Sequence, residues 1–112
     1  MNELKINPLT LADLLAVEGK TLAQAQMINE QELHLYKEGV RLIGKVYPAF
    51  NTFVQESLEM FSEDGEKRLE MYRRPEADTY TLMYNLIAMM IELPESDQKT
   101  ISQLIQVAER FS

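Results

Sequence analysis

The chain has 112 residues, 46% of them apolar, and its 18 acidic and 11 basic residues give a net charge of −7. This composition excludes wholesale disorder and fits a single folded domain over residues 1–112. The acidic balance disfavours nucleic-acid binding, which usually needs a basic face, and the absence of cysteine excludes disulfides and thiolate metal sites.

Helix start signals recur along the first third of the chain. Thr10 followed by Asp13 predicts a first short helix, which Gly19 is placed to end. Thr21 with Gln24 repeats the capping pattern and predicts a second short helix. We therefore expect two short helices separated by a glycine turn.

A longer amphipathic helix is predicted from Asn29 to about Tyr47. Asn29 and Glu32 have the spacing of a capping box, in which each side chain bonds the other's backbone amide. Apolar residues then recur at intervals of three and four, as on the buried side of a helix. These residues are Leu33, Tyr36, Val40, Ile43 and Tyr47.

Four further helices are predicted from Pro48 onward. Proline breaks the preceding helix but is tolerated in a first turn, so a helix is expected over 48–61. A short charged helix follows at 66–74, and Asp78 is placed to cap an apolar helix at 79–93. Ser96 is the expected cap of the last helix.

The segment Leu82–Leu93 is apolar except for Asn85 and Glu92. A surface helix normally has one apolar stripe, so this helix, which is apolar nearly all the way round, is expected to be covered on all sides. The cover comes either from the other helices or from a partner chain, and the pattern leaves both possibilities open. The predicted fold is all-α, a compact bundle of five to six helices around a central hydrophobic helix at about 79–93.

If a partner covers this helix, the side that carries Tyr80, Tyr84 and Ile87 or Ile91 is the expected dimer seam. Met89 and Met90 point about 100° apart on a helix, so one face alone can hardly bury both. The predicted interface consists of four apolar residues and an acidic rim: Tyr80, Tyr84, Ile87, Met90, Glu92, Glu95 and Asp97.

Candidate chemical sites are few. Glu30, His34 and Glu38 share one helix face and could contact a metal, but a single histidine cannot supply the ligands of a typical zinc or di-iron site. The remaining charged clusters have simpler readings as solvated turns or intrahelical ion pairs. They are Glu56 with Glu59, then Glu63, Asp64 and Glu66, and finally Lys67, Arg68, Arg73 and Arg74. We expect no cofactor, no metal site and no enzyme activity.

The segment LADLLAVEGKTLAQAQMI at 11–28 resembles a helix-turn-helix, with Gly19 and Thr21 where that motif has them. Lys20 and Leu15 depart from the motif, and the second helix offers only glutamines to bases. LPESDQKTISQLIQVAERF at 93–111 resembles the helix that follows this motif in small phage-repressor-like regulators. These resemblances imply a DNA-binding transcriptional regulator of bacterial or phage type, in which Gln24 or Gln26 would contact DNA.

The residues themselves favour a different function. The N-terminus has no secretory signal, and the apolar run at 82–93 is shorter than the roughly 20 residues that cross a bilayer. We therefore predict a cytoplasmic homodimer of bacterial or phage origin that binds another protein as a regulator, inhibitor or assembly adaptor. A DNA-binding regulator is the alternative, and a carboxylate metal enzyme is the third class.

Overall fold

A computed structural model describes residues 7–62 and 79–112. Its described residues form five α-helices and one 3-10 helix, with no strand among them, which confirms the all-helical prediction. Helix α1 spans Pro8–Gln24, α2 Glu30–Val46, the 3-10 helix Pro48–Phe50, α3 Asn51–Glu59, α4 Thr79–Met90 and α5 Glu95–Glu109. The helix predicted at 66–74 and the Asp78 cap lie outside the described residues.

The first helix is longer than predicted. The break expected at Gly19 is wrong, because Gly19 lies buried inside a continuous α1 that also includes Thr21. The helix begins earlier than expected as well, since Asn7 caps it by accepting a hydrogen bond from the Leu9 amide at 2.9 Å. Two short helices are therefore replaced by a single one of 17 residues.

Helix α1 ends in a Schellman motif. The Gln26 amide donates to the Ala23 carbonyl at 3.0 Å, and the Met27 amide donates to the Leu22 carbonyl at 2.9 Å. These two bonds satisfy carbonyls that the end of a helix leaves without partners. Gln26 adopts a φ of 58°, the left-handed conformation that this motif usually assigns to glycine.

The capping box predicted for α2 is confirmed. The Glu32 amide donates to Asn29 Oδ1 at 2.8 Å, and the Asn29 amide donates to Glu32 Oε1 at 3.0 Å. In contrast, the cap predicted at Ser96 is wrong. Pro94 holds the N-cap position of α5, without a side-chain cap, and so places Ser96 inside the first turn.

Helix α2 packs against α1, α3 and α5, while α4 packs mainly against α5 and also contacts α1. The helices share one hydrophobic core, to which each of the five contributes. Its fully buried large side chains include Leu11, Leu15, Tyr36, Ile43, Met60, Leu82, Leu86, Met89, Ile101 and Leu104. The core thus joins the residues before position 62 to those after position 79.

Two ion pairs link α2 to α5 at opposite ends of their contact. Arg110 Nη2 lies 2.7 Å from Glu32 Oε2, and Lys45 pairs with Asp97. Arg110 and Lys45 are exposed, so solvent screens both pairs and each adds little to the stability of the fold. They orient the two helices more than they stabilise them.

We expect Gly19→Ala to lower the free energy of unfolding by about 1–3 kcal/mol, although alanine is the better helix former. A Cβ at position 19 would lie 2.8 Å from Tyr36 Cβ, an atom that can move only with the backbone of α2. Gly39→Ala is the matched control. Its new Cβ would meet Leu104 Cδ2 at 2.7 Å, the end of a flexible side chain, so we expect a smaller loss.

Urea denaturation followed by circular dichroism measures both variants. A Gly19→Ala variant as stable as the wild type would show that α1 and α2 can separate at little cost.

We expect Gln26→Gly to raise the free energy of unfolding by roughly 1 kcal/mol. A left-handed conformation costs a residue with a Cβ about 1–2 kcal/mol, whereas glycine adopts it readily. The same denaturation measurement applies, with Thr21→Gly as a control. Thr21 is exposed and lies within α1, so glycine at that position should destabilise the protein.

Candidate interaction surface on helix α4

The outward side of α4 carries large apolar side chains. Tyr80 is 68% and Ile87 48% exposed, and Ile91, the first residue after α4, is 64% exposed. Residues spaced by seven and four positions lie on one side of a helix, and half-buried Tyr84 occupies the remaining position of the same row. We refer to Tyr80, Tyr84, Ile87 and Ile91 as the outer stripe.

The predicted interface residues fall into two groups. Tyr80, Tyr84 and Ile87 lie together on the outer stripe, whereas Met90 is partly buried against the core. Ile91 is more exposed than Ile87, although the association residues chosen from sequence did not include it. Its spacing of four from Ile87 had indicated it as an alternative to Ile87 on the expected seam.

The predicted acidic rim is also divided. Glu92 and Glu95 follow the C-terminal end of α4 and are exposed. Asp97 is only partly exposed and pairs with Lys45 of α2, which neutralises much of its charge. Glu92 and Glu95 are thus the rim carboxylates available to another molecule.

The inner side of α4 explains why the outer stripe points outward. Leu82, Leu86 and Met89 are buried in the core, and Asn85 is completely buried between them along the helix. Asn85 Nδ2 donates to the Thr81 carbonyl at 2.8 Å, which satisfies part of its hydrogen-bonding capacity inside the protein. Rotating the helix to bury the outer stripe would expose these leucines and remove Asn85 from its environment.

The first residue of α4 is attached to α1 through a buried polar cluster. Thr79 Oγ1 donates to Glu18 Oε1 at 2.8 Å, and the Tyr36 hydroxyl donates to Glu18 Oε2 at 3.2 Å. One carboxylate on α1 therefore binds a hydroxyl from α2 and a hydroxyl from α4. This cluster determines the position of the N-terminal end of the outer stripe.

Burial shifts the titration of both ionisable members of this cluster. Desolvation raises the pKa of Glu18 above its ordinary value of 4.5, and the hydrogen bonds from Thr79 and Tyr36 oppose that rise. Desolvation likewise raises the pKa of Tyr36, and the neighbouring Glu18 carboxylate adds to the effect. Tyr36 therefore stays neutral and acts as a donor.

Glu30 and His34 line an open groove of about 760 Å³ between the start of α2 and the end of α5. His34 Nε2 lies 3.6 Å from Glu38 Oε1, and Glu38 also pairs with Arg41, as on an ordinary charged helix face. Within 7–62 and 79–112, no three His, Asp or Glu side chains are arranged to hold a metal ion.

The other charged clusters form no candidate metal site in the described part of the chain. Glu56 and Glu59 lie on α3, with Glu56 partly exposed and Glu59 exposed. The acidic group at 63–66 and the basic group at 67–74 lie outside the described residues. Of the helices that are described, none is both long enough and apolar enough to span a membrane.

We expect the stability difference between wild type and Glu18→Gln to depend on pH. The folded state favours protonated Glu18. The stabilisation that this residue contributes to the folded state is therefore fully present below its ordinary pKa of 4.5 and is lost as pH rises through the raised pKa. Glutamine keeps an acceptor for Thr79 without a buried charge. The variant should therefore gain stability relative to the wild type between about pH 4 and pH 7.5.

Denaturation at both pH values measures this difference, and Glu109→Gln, a change at an exposed site, is the control. An equal effect of Glu18→Gln at the two pH values would contradict the raised pKa.

Comparison with known proteins provides no identification. No protein family, curated protein or solved structure matches this chain significantly. The resemblances of 11–28 and 93–111 to DNA-binding regulators therefore stay predictions, and any functional conclusion depends on the geometry of the chain itself.

Proposed function

We propose that this protein is a protein-binding module that acts as a regulator, inhibitor or assembly adaptor, and that it works as a homodimer. The observation that carries this proposal is the exposure of Tyr80 and Ile87 on α4 and of Ile91, the residue that follows the helix, on the same side. Partner binding through this row would be steric or allosteric and would require no cofactor.

An exposed apolar residue is by itself ordinary, because folded proteins leave many apolar atoms at the surface. A contiguous row is different, since large apolar patches on a soluble domain usually mark a binding surface. The outer stripe includes two tyrosines, a residue type that is enriched among the dominant contacts of protein interfaces. Its three most exposed members account for most of the large apolar side chains exposed among the described residues.

In this proposal α4 has two roles. Leu82, Leu86 and Met89 on its inner side supply part of the core, which supports the proposal that the helix at 79–93 is central to the bundle. The outer side supplies the apolar contacts, with Met90 at its edge. This division reconciles the two explanations of the apolar run, since the same helix serves the core and an interface.

Glu92 and Glu95 would form the acidic rim at one end of the stripe and would favour a basic surface on a further partner. We place the protein in the cytoplasm, which agrees with the absence of cysteine from the chain. The DNA-binding alternative gains no support from a specific contact or basic face among the described residues.

Light scattering coupled to size exclusion tests the proposal on wild type and on Ile87→Glu. We expect a dimer for the wild type and a folded monomer for the variant, because a buried unpaired carboxylate at the seam strongly disfavours association. Ile87 suits the test since it is 48% exposed, so a charge there should leave the monomer folded.

Phe53→Glu is the matched control. Phe53 is 46% exposed on α3, so it introduces the same charge at a similarly exposed apolar site away from α4. It should leave the dimer intact. A monomeric wild type across the accessible concentration range, or equal disruption by both variants, would refute the outer stripe as the association surface.

A further inference from the structure

The groove between the start of α2 and the end of α5, which we call the α2–α5 groove, lies apart from the outer stripe. The first two turns of α2 form one wall and the last two turns of α5 form the other, and the described residues that line it include none from α4. Its volume of about 760 Å³ is within the range of sites that bind small ligands.

Charge in the α2–α5 groove favours a cationic ligand. Glu32 is paired with Arg110 at 2.7 Å, and a hydrogen bond from the Asn29 amide, together with Arg110, holds the pKa of Glu32 below its ordinary value. Glu30, on the same wall, has no ion pair within the described residues. A cation would therefore meet an available carboxylate, whereas an anion would meet an arginine that is already neutralised.

The uncharged lining of the groove combines amide groups with apolar surface. Gln31 on one wall and Gln103 and Gln106 on the other are exposed, and each carries a carboxamide oxygen that can accept hydrogen bonds. Leu35 is half-buried and Val107 is buried, so both offer apolar surface to a ligand without being free to move away. The groove thus suits a ligand with an apolar stem and a head that only donates hydrogen bonds.

An arginine side chain has these properties. Its stem consists of methylene groups that pack along apolar surface while the charged head stays near water. Its planar guanidinium can bond a carboxylate through two parallel N–H groups and still donate to neighbouring amide oxygens. The ammonium group of lysine is a compact and strongly hydrated charge, so it loses more hydration in a groove that is partly apolar. The pair of Arg110 with Glu32 is an example of a guanidinium bound at this surface.

We propose that the α2–α5 groove binds an arginine side chain of a protein partner, with the guanidinium on Glu30 and the methylene groups on Leu35 and Val107. Arginine is enriched among the residues that dominate protein interfaces, and a protein partner with an arginine at its surface would suit a chain with a net charge of −7. This inference goes beyond the proposed function, because it concerns a different surface and does not require a dimer.

Titration with capped tripeptides, followed by amide chemical shifts in NMR, tests the proposal at pH 7.5 and physiological salt. The probe is acetyl-glycyl-arginyl-glycinamide, and we expect a dissociation constant on the order of a millimolar for so short a peptide. The shifts should centre on the groove, at Leu35, Gln103, Gln106 and Val107. Replacing arginine by citrulline keeps the shape and removes the charge, and it should weaken binding about tenfold. A lysine peptide should bind roughly threefold more weakly than the arginine peptide.

Glu30→Gln should weaken binding of the arginine peptide about tenfold, because it removes the carboxylate and keeps the size of the side chain. Glu95→Gln is the matched control. Glu30 and Glu95 are both exposed and are the first residues of α2 and α5, so the two variants remove the same charge from the same position of a helix. Glu95→Gln should leave binding unchanged, and both variants should keep the circular dichroism of the wild type.

Three outcomes would overturn the proposal. Equal binding of the arginine and citrulline peptides would show that the groove does not recognise charge. Equal binding of the lysine peptide would show that any cation suffices. Shifts centred on Glu92 and Glu95, or equal weakening by both variants, would indicate general attraction to an acidic protein. Light scattering on Glu30→Gln keeps this test separate from the proposed homodimer, since the variant should associate as the wild type does.

Discussion

Tyr36 is completely buried on α2 against Gly19 of α1, and its ring and hydroxyl constrain how α1, α2 and α4 meet. Its Cβ and ring occupy the space that a side chain at Gly19 would need. Its hydroxyl binds Glu18, and the same carboxylate binds the first residue of α4. The Tyr36 ring and the Glu18 carboxylate thus connect three helices. The ring packs tightly and the polar groups are hydrogen-bonded, and a buried polar cluster in this condition favours a single arrangement of the helices.

The orientation of α4 follows from this connection and not from its composition. A helix that is apolar on nearly all sides has no strong preference for which side to bury. Here the polar Asn85 is buried while Tyr80 and Ile91 are exposed, the reverse of what hydrophobicity alone would select. The attachment of Thr79 to Glu18 and the packing of Leu86 in the core account for the choice. The exposed row is therefore a result of tertiary structure.

Local signals in the sequence predicted much of the fold. The Asn29 capping box, the break at Pro48 and the apolar helix from position 79 depend on neighbouring residues, and all three are present in the structure. The prediction that Gly19 ends a helix was wrong because glycine occurs both at helix ends and where two helices pack closely. Only the contact with Tyr36, which is distant in the sequence, shows that Gly19 belongs to the second case.

The same distinction applies to the candidate surface. Regular spacing predicted Tyr80, Tyr84 and Ile87 together on one side of α4, since a helix repeats locally. The exposure of that side could not be predicted, because it depends on contacts such as Thr79 with Glu18, which are 61 positions apart. A local sequence pattern cannot reveal a contact between residues so far apart in the chain. The same apolar residue types also occur both in cores and at interfaces, so residue type does not distinguish the two.

The contacts between α2 and α5 have a consequence for the integrity of the chain. They join residues 7–62 to residues 79–112 through buried leucines and through two ion pairs, independently of the peptide that connects the two parts. Lys20 donates a hydrogen bond to the carbonyl of Ser62, the last residue of 7–62, at 2.9 Å. Glu18 accepts a hydrogen bond from Thr79, the first residue of 79–112. The protein is thus suited to fragment complementation, in which two separately produced pieces reassemble into one folded unit.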